Sequence, residues 1–255
     1  MLIDDATPTD VLFPAGCRTG LVPRDYAATP MRAVQMPTIP RSEWSARIRE
    51  MEETKSRLSD VWFGGGVEHL DQNGQGYCWA YSSTHAVMAL RAVNNLPYVR
   101  LSGHAVGCTV KGFKDEGGWS AQSLEFVAAR GVPSVAAWPE KSMSRANDTP
   151  ACWADAARHR VVEAWADVAA PVWDRDLSFD QVMTCLLSRV PVACDFNWWG
   201  HAVCALDPVE VEPGSFGVRI VNSWAGWGDR GTGVLRGNRA VPDNAVAPRA
   251  VVAAS

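Results

Sequence analysis

The spacing of apolar positions changes along the chain, and the change divides it. From Ser42 to Val61, Trp44, Ile48, Met51, Leu58 and Trp62 recur at intervals of three, four and seven, while Arg47, Arg49, Glu50, Glu53 and Lys55 fill the other face. That spacing predicts an amphipathic helix in need of a partner surface. Cys78 to Leu90 carries no Asp, Glu, Lys or Arg and follows Gly74 and Gly76. It reads as a glycine-containing loop feeding a buried helix, with Cys78 at or near the N-terminus. Further helices are expected over Ser120–Arg130, over the alanine-rich stretch Cys152–Ala170 and over 180–189. After Pro191 the pattern turns to β-type runs: Val192–Phe196, His201–Leu206, Val218–Asn222 and Gly233–Leu235. Residues 1–40 are dense in proline and without periodicity, as an extended arm would be. The tail, Ala240–Ser255, is small and poor in polar residues, and is expected at the surface.

Composition narrows the picture. A chain of 255 residues, 47% hydrophobic and 20% charged, is sized for one domain with two lobes or a layered core. A net charge of −4 gives no electrostatic case for nucleic acid. No run approaches the roughly 18 apolar residues of a membrane helix, so no membrane partner is expected. The opening Met-Leu-Ile-Asp-Asp lacks the basic and apolar regions of a signal peptide. Seven cysteines in mostly apolar contexts read as reduced, which makes the expected location cytoplasmic or an assembly formed inside a cell, a virion included. Twelve tryptophans point to large buried aromatic contacts or an interface. No cluster has metal-ligand spacing and no phosphate-binding glycine loop is present, so neither metal nor cofactor is expected.

Three blocks carry candidate chemistry. The first is Gln72-Asn73-Gly74-Gln75-Gly76-Tyr77-Cys78-Trp79, the second Gly200-His201-Ala202-Val203, the third Asn222-Ser223-Trp224-Ala225-Gly226-Trp227-Gly228. A thiol attacks a carbonyl only as the thiolate and needs a base or cation nearby. His201 is a candidate for that role, and Asn222 for orienting the imidazole without adding charge. A helix N-terminus at Cys78 would favour both the thiolate and a developing oxyanion.

In this order the blocks resemble the papain family of cysteine peptidases, in which a histidine and an asparagine follow the cysteine by roughly 130–150 residues. The resemblance implies an α+β, two-lobed fold: a helical lobe carries Cys78, and an antiparallel β lobe carries His201 and Asn222. It further implies that Gln72 donates into the oxyanion hole, Gln75 being a nearer rival, and that Trp224 shields the Asn–His contact from water. Gly117-Gly118-Trp119-Ser120 is similar to the family's glycine wall for an extended peptide, with Trp119 and Ala202 assigned to the neighbouring side-chain subsite. The chain departs from the family where a disulfide cysteine would stand, at Gln75, which leaves Cys108 without that partner. Trp198 and Trp199 are either a wall of the cleft or packing.

The resulting expectation is residues 1–60 as arm plus helix and residues 61–255 as a papain-like domain. Its substrate would be a peptide or protein, hydrolysed through an acyl-enzyme. The competing class is a papain-fold assembly component with a retained or vestigial site, self-associating through residues 1–60. A third, acyl transfer to an amine, is disfavoured by Asn222, because such relatives usually orient the histidine with aspartate. Residues 1–60 are expected to be a permanent arm rather than a removed propeptide.

Overall fold

The computed structural model describes residues 1–32 and 37–249. Seven helices are defined among them: α1 (Arg41–Glu53), α2 (Leu58–Gly64), α3 (Cys78–Val93), α4 (Gly103–Val110), α5 (Ser120–Arg130), α6 (Pro150–Arg158) and α7 (Arg175–Leu187). Seven strands, β1 (Leu2–Ile3), β2 (Ala164–Ala169), β3 (Val192–Phe196), β4 (His201–Glu212), β5 (Ser215–Val221), β6 (Thr232–Arg236) and β7 (Asn244–Arg249), form one sheet in the order β1-β6-β5-β4-β3-β7-β2. Every pairing is antiparallel except β1 on β6. The fold is α+β and papain-like. No described helix is long and apolar enough to cross a membrane.

The sheet is buried on both faces, and its strands sort residues by parity. Ala193, Ala202, Cys204, Leu206 and Val246 join the core of the helical lobe with α3 and α5. Val192, Cys194, Phe196, Val203, Ala205, Ala245 and Ala247 join a second core with α1 and α7. Successive strand residues point to opposite faces, so neighbours in sequence serve different cores.

Three expectations are corrected. The helix foreseen over Ser42–Val61 is two helices. Lys55 takes a left-handed φ of 54°, and Arg57 restarts the chain by donating its backbone N–H and guanidinium to Asp60. The break has a packing reason: Trp44, Ile48 and Met51 enter the second core, whereas Leu58 and Trp62 enter the first. One straight apolar stripe could not serve both.

The alanine-rich stretch Cys152–Ala170 is helical only at its start. Thr149 caps Cys152 and Pro150 opens α6, but Ala164–Ala169 is a strand at the sheet edge, paired with β7. Helix propensity separates residues by only tenths of a kcal/mol, which ladder hydrogen bonds and burial of Trp165 and Val168 override. The tail is likewise not a surface segment over 244–249. β7 lies between β3 and β2 with Ala245, Val246 and Ala247 buried. A strand covered on both faces shows no polar alternation, so its sequence reads as featureless. Residues 250–255 lie outside the described chain.

The N-terminal segment is woven into the body. Ile3 and Leu12 are fully buried, Arg236 pairs with Asp4, and Trp227 donates its indole N–H to the Leu12 carbonyl. Further on, the buried Arg24 guanidinium pairs with the buried Asp167 carboxylate and also donates to the carbonyls of Thr29 and Pro30. Tyr26 donates to Asn244 and Arg32 pairs with Glu125. Residues 18–22, between these anchors, cross the groove between the lobes.

Candidate active site

Cys78 is the first residue of α3. Asn73 and Gly74, both at positive φ (53° and 75°), turn the chain into the helix, and Tyr77 occupies the N-cap without a side-chain cap. The free N–H groups of the first turn therefore surround the thiol's backbone. Cys78 itself is fully buried. Burial pushes the thiol up to about 12. The backbone N–H groups of Ala202, Gly20 and Trp79 pull the other way, and the Asp195 charge adds to the rise.

His201 opens β4 and faces away from Ala202. Its Nε2 lies 2.7 Å from Asn222 Oδ1, and that same oxygen accepts the Ser223 backbone N–H at 2.7 Å. An amide oxygen has no proton to give and only accepts, so Nε2 carries the proton and Nδ1 holds the lone pair. Nδ1 is buried with no hydrogen-bond partner. Trp224 stacks on the imidazole at 4.0 Å between centroids, 24° from parallel, and Trp199 meets it edge-on at 4.9 Å. Trp199 also contacts Trp224 and Trp227, so it packs around the histidine, and Trp198 stacks on it from behind. Burial drives the imidazole down to about 3, against the opposing Asn222 bond. No hydrogen bond joins Cys78 to His201: thiol and imidazole are both held in their neutral forms.

Gln72 is fully buried, and its amide is fixed at three points. Oε1 accepts the Ser223 hydroxyl at 2.6 Å; Nε2 donates to the carbonyls of Gln75 (2.6 Å) and Arg18 (2.9 Å). Gln75, the rival glutamine, is directed at His104, 3.2 Å away. The residue beside Asn222 thus positions Gln72, linking the blocks through Ser223.

Residues 18–22 lie over this arrangement as a strap. Gly20 O accepts from Gly118 N at 2.9 Å, Val22 N donates to Gly118 O at 3.1 Å, and Leu21 N donates to Gly200 O at 3.1 Å, making a parallel bridge between Leu21 and Gly118. Trp224 Nε1 also donates to the Arg18 carbonyl, at 3.2 Å. The fit requires glycine: a Cβ on Gly20 would stand 2.0 Å from the Gly76 carbonyl oxygen, and one on Gly117 would stand 2.6 Å from Val22 Cγ1. Gly117 and Gly118 do receive an extended chain, and it is the protein's own. Trp119 is nearly buried and donates to Thr29 Oγ1 at 3.2 Å; Ala202 is buried and pairs with Asp195 across β3–β4.

Asp195 was not singled out in the sequence. It is buried, accepts from the Ser120 backbone N–H at 3.2 Å and the Ser120 hydroxyl at 2.5 Å, and burial raises its carboxyl to about 7. A charged residue at a core-facing strand position was the available signal. The other histidines are packed: His85 accepts the Leu70 N–H, His104 meets the Tyr81 hydroxyl, His159 lies beside Asp155, and half-buried His69 lies against Gly231. All seven cysteines are free. Among the described residues no group of three or more His, Cys, Asp or Glu is placed to hold a metal.

Comparison with known families places the chain among the cysteine peptidases. The model of the papain family cysteine proteases matches residues 67–205, more than half of the chain, and the protein belongs to that family. Digestive procathepsin L 3 of Tenebrio molitor larval midgut is similar at 18% identity and a TM-score of 0.59, over 73% of this chain and 68% of that one. A structure from work on the mite allergens Blo t 1 and Der p 1 gives 18% and 0.60, over 89% and 78%. Bromelain from Ananas comosus, in complex with the E64 inhibitor, gives 21% and 0.55, over 76% and 97%. At these identities the likeness establishes the fold. No curated protein matches the chain.

Proposed function

We propose that this cysteine peptidase works through Cys78, His201 and Asn222, and that residues 18–22 hold it shut. The observation that carries the reading is the bonding of His201. Asn222 takes Nε2 and fixes the tautomer, Trp224 shields the contact, and Nδ1 keeps a lone pair with no partner. An orphaned buried acceptor is costly, about 1–3 kcal/mol, and a base awaiting a thiol proton accounts for it.

In the open enzyme Nδ1 takes the Cys78 proton, and the thiolate adds to the carbonyl of a peptide lying along Gly117 and Gly118. The oxyanion is met by Gln72 Nε2 and the Cys78 backbone N–H; the Arg18 carbonyl, bonded to that same Nε2, now marks the place. The imidazolium returns its proton to the departing amine, leaving a thioester. Water, deprotonated by the same nitrogen, hydrolyses the thioester and restores the thiol. In the closed form burial keeps the pair neutral, which suits a resting enzyme.

The second reading, an assembly component with a silent site, is supported by the closure itself. Peptide hydrolysis by a strap-opened variant separates the two. Turnover abolished by Cys78→Ala supports the peptidase reading; an accessible thiol without turnover supports the silent site.

A further inference from the structure

We propose that Asp195 sets the specificity of this site: on the cleft face of β3, beside Ala202 and Ser120, its carboxylate receives a cationic side chain, lysine or arginine, from a peptide lying along the Gly118 wall. The inference rests on the peptidase reading and concerns which peptide is accepted.

Strand parity places the residue. Asp195 pairs with Ala202 on β4 and Asn244 on β7, and shares the face of Ala193, Ala202, Cys204 and Val246, which looks toward α3 and α5. The Ala202 backbone is among the groups that pull the Cys78 thiol down against its burial, and Asp195 stands opposite Ala202 across the β3–β4 pairing. From the opposite lobe it meets Ser120, which follows Gly118 and Trp119 directly. The subsite assigned to Trp119 and Ala202 therefore has an acid in its wall.

The strap marks where an extended chain lies. It pairs with Gly118 at Leu21, and the arm beyond it carries Arg24, whose charge acts on Asp195, and Tyr26, whose hydroxyl is raised chiefly by burial with Asp195 a smaller contributor. The groups facing the carboxylate are Cys78 of α3, Ser120 of α5, Asp243 and Asn244 at β7, and Arg24 and Tyr26 of the arm. Arg24 is the one cation among them, and its guanidinium pairs with Asp167. Asp195 makes no ion pair of its own among the described residues. Capping α5 engages Oδ2 with the Ser120 N–H and Oδ1 with the Ser120 hydroxyl, and calls for acceptors rather than for a charge. A buried carboxylate without a cation is costly, and a substrate ammonium or guanidinium relieves that cost.

The test uses the full chain carrying Gly20→Ala to open the strap, with two peptides differing only in lysine or leucine at the residue against Gly118. The lysine peptide is expected to be favoured in kcat/KM by about 10- to 100-fold, the range of a hydrogen bond to a charged group. Asp195→Asn is expected to abolish the preference by lowering kcat/KM for the lysine peptide toward that for the leucine peptide, and Asp195→Glu to restore part of it. The preference should also fade as pH drops below the carboxyl's value of about 7, with the leucine profile unmoved. A binding titration on Gly20→Ala/Cys78→Ala protein, read by tryptophan fluorescence, reports the same preference without chemistry. Run on the unaltered strap with excess peptide, it also covers a Gly20→Ala chain that does not fold. Equal treatment of the two peptides, a preference that survives Asp195→Asn, or no binding of either peptide overturns the proposal. Selective binding without cleavage upholds it and removes the peptidase reading instead.

Discussion

Gly20→Ala is the sharpest perturbation of the closed state. The added Cβ would stand 2.0 Å from the Gly76 carbonyl oxygen, 2.2 Å from its carbon and 2.5 Å from its Cα. These are backbone atoms of the loop that delivers Cys78, not the free end of a side chain, so the strap must yield. It is held by hydrogen bonds through Gly20, Leu21, Val22 and twice through the Arg18 carbonyl, and by the Arg18 guanidinium on Asp115. At about 0.5–1.5 kcal/mol each, they amount to several kcal/mol of closing free energy. Forcing a methyl group into packed surroundings costs about 1–3 kcal/mol. A shift of that size raises the open population by roughly 5- to 150-fold. The assay is the rate of alkylation of Cys78 by iodoacetamide, mapped by mass spectrometry, with buried Cys185 and Cys204 as internal controls. The expected result is selective acceleration at Cys78. An unchanged rate in a folded protein would refute the strap as the barrier, and equal acceleration at all three would mean general loosening.

Other consequences are as direct. Gln72→Ala should have opposed effects: Cys78 labelling rises because the Arg18 carbonyl loses a donor, while turnover of the opened enzyme drops about 10²–10³-fold from loss of an oxyanion donor; parallel changes would contradict this. Arg24→Ala leaves the Asp167 carboxylate buried and unpaired, and should cost about 3–5 kcal/mol in chemical denaturation. All five histidines are held below their usual value, chiefly by burial, with His85 and His201 at about 3 and His104 at about 4. Between those values and 6.5 the unfolded chain binds more protons, so stability falls on acidification from pH 7 to 4. Asp195, raised to about 7, opposes this, so Asp195→Asn should steepen the fall; a melting temperature flat across that range would contradict the account.

The sequence was most legible where one face of an element decides its pattern. α5 runs from Ser120 to Arg130 as expected, and α3 begins at Cys78 where glycines end and the uncharged run starts. It was least legible where burial on two faces erases alternation, as in β7, or where a strand is built from alanine, as in β2. The candidate residues Cys78, His201 and Asn222 follow from motif order, but two features depend on tertiary placement. One is the strap: nothing in Arg18-Thr19-Gly20-Leu21-Val22 announces that it pairs with Gly118 almost a hundred residues on. The other is Asp195, whose importance rests on the strand parity that turns it toward the helical lobe.

The most direct test of the central claim is intact-mass analysis of the Gly20→Ala protein after treatment with an epoxide inhibitor of thiol peptidases. Cys78→Ala and His201→Ala are introduced into the same background for comparison. A single adduct mapped to Cys78 is expected, absent in the first comparison and formed far more slowly in the second. An adduct on another cysteine, or labelling of Cys78 at the same rate without His201, would contradict that claim.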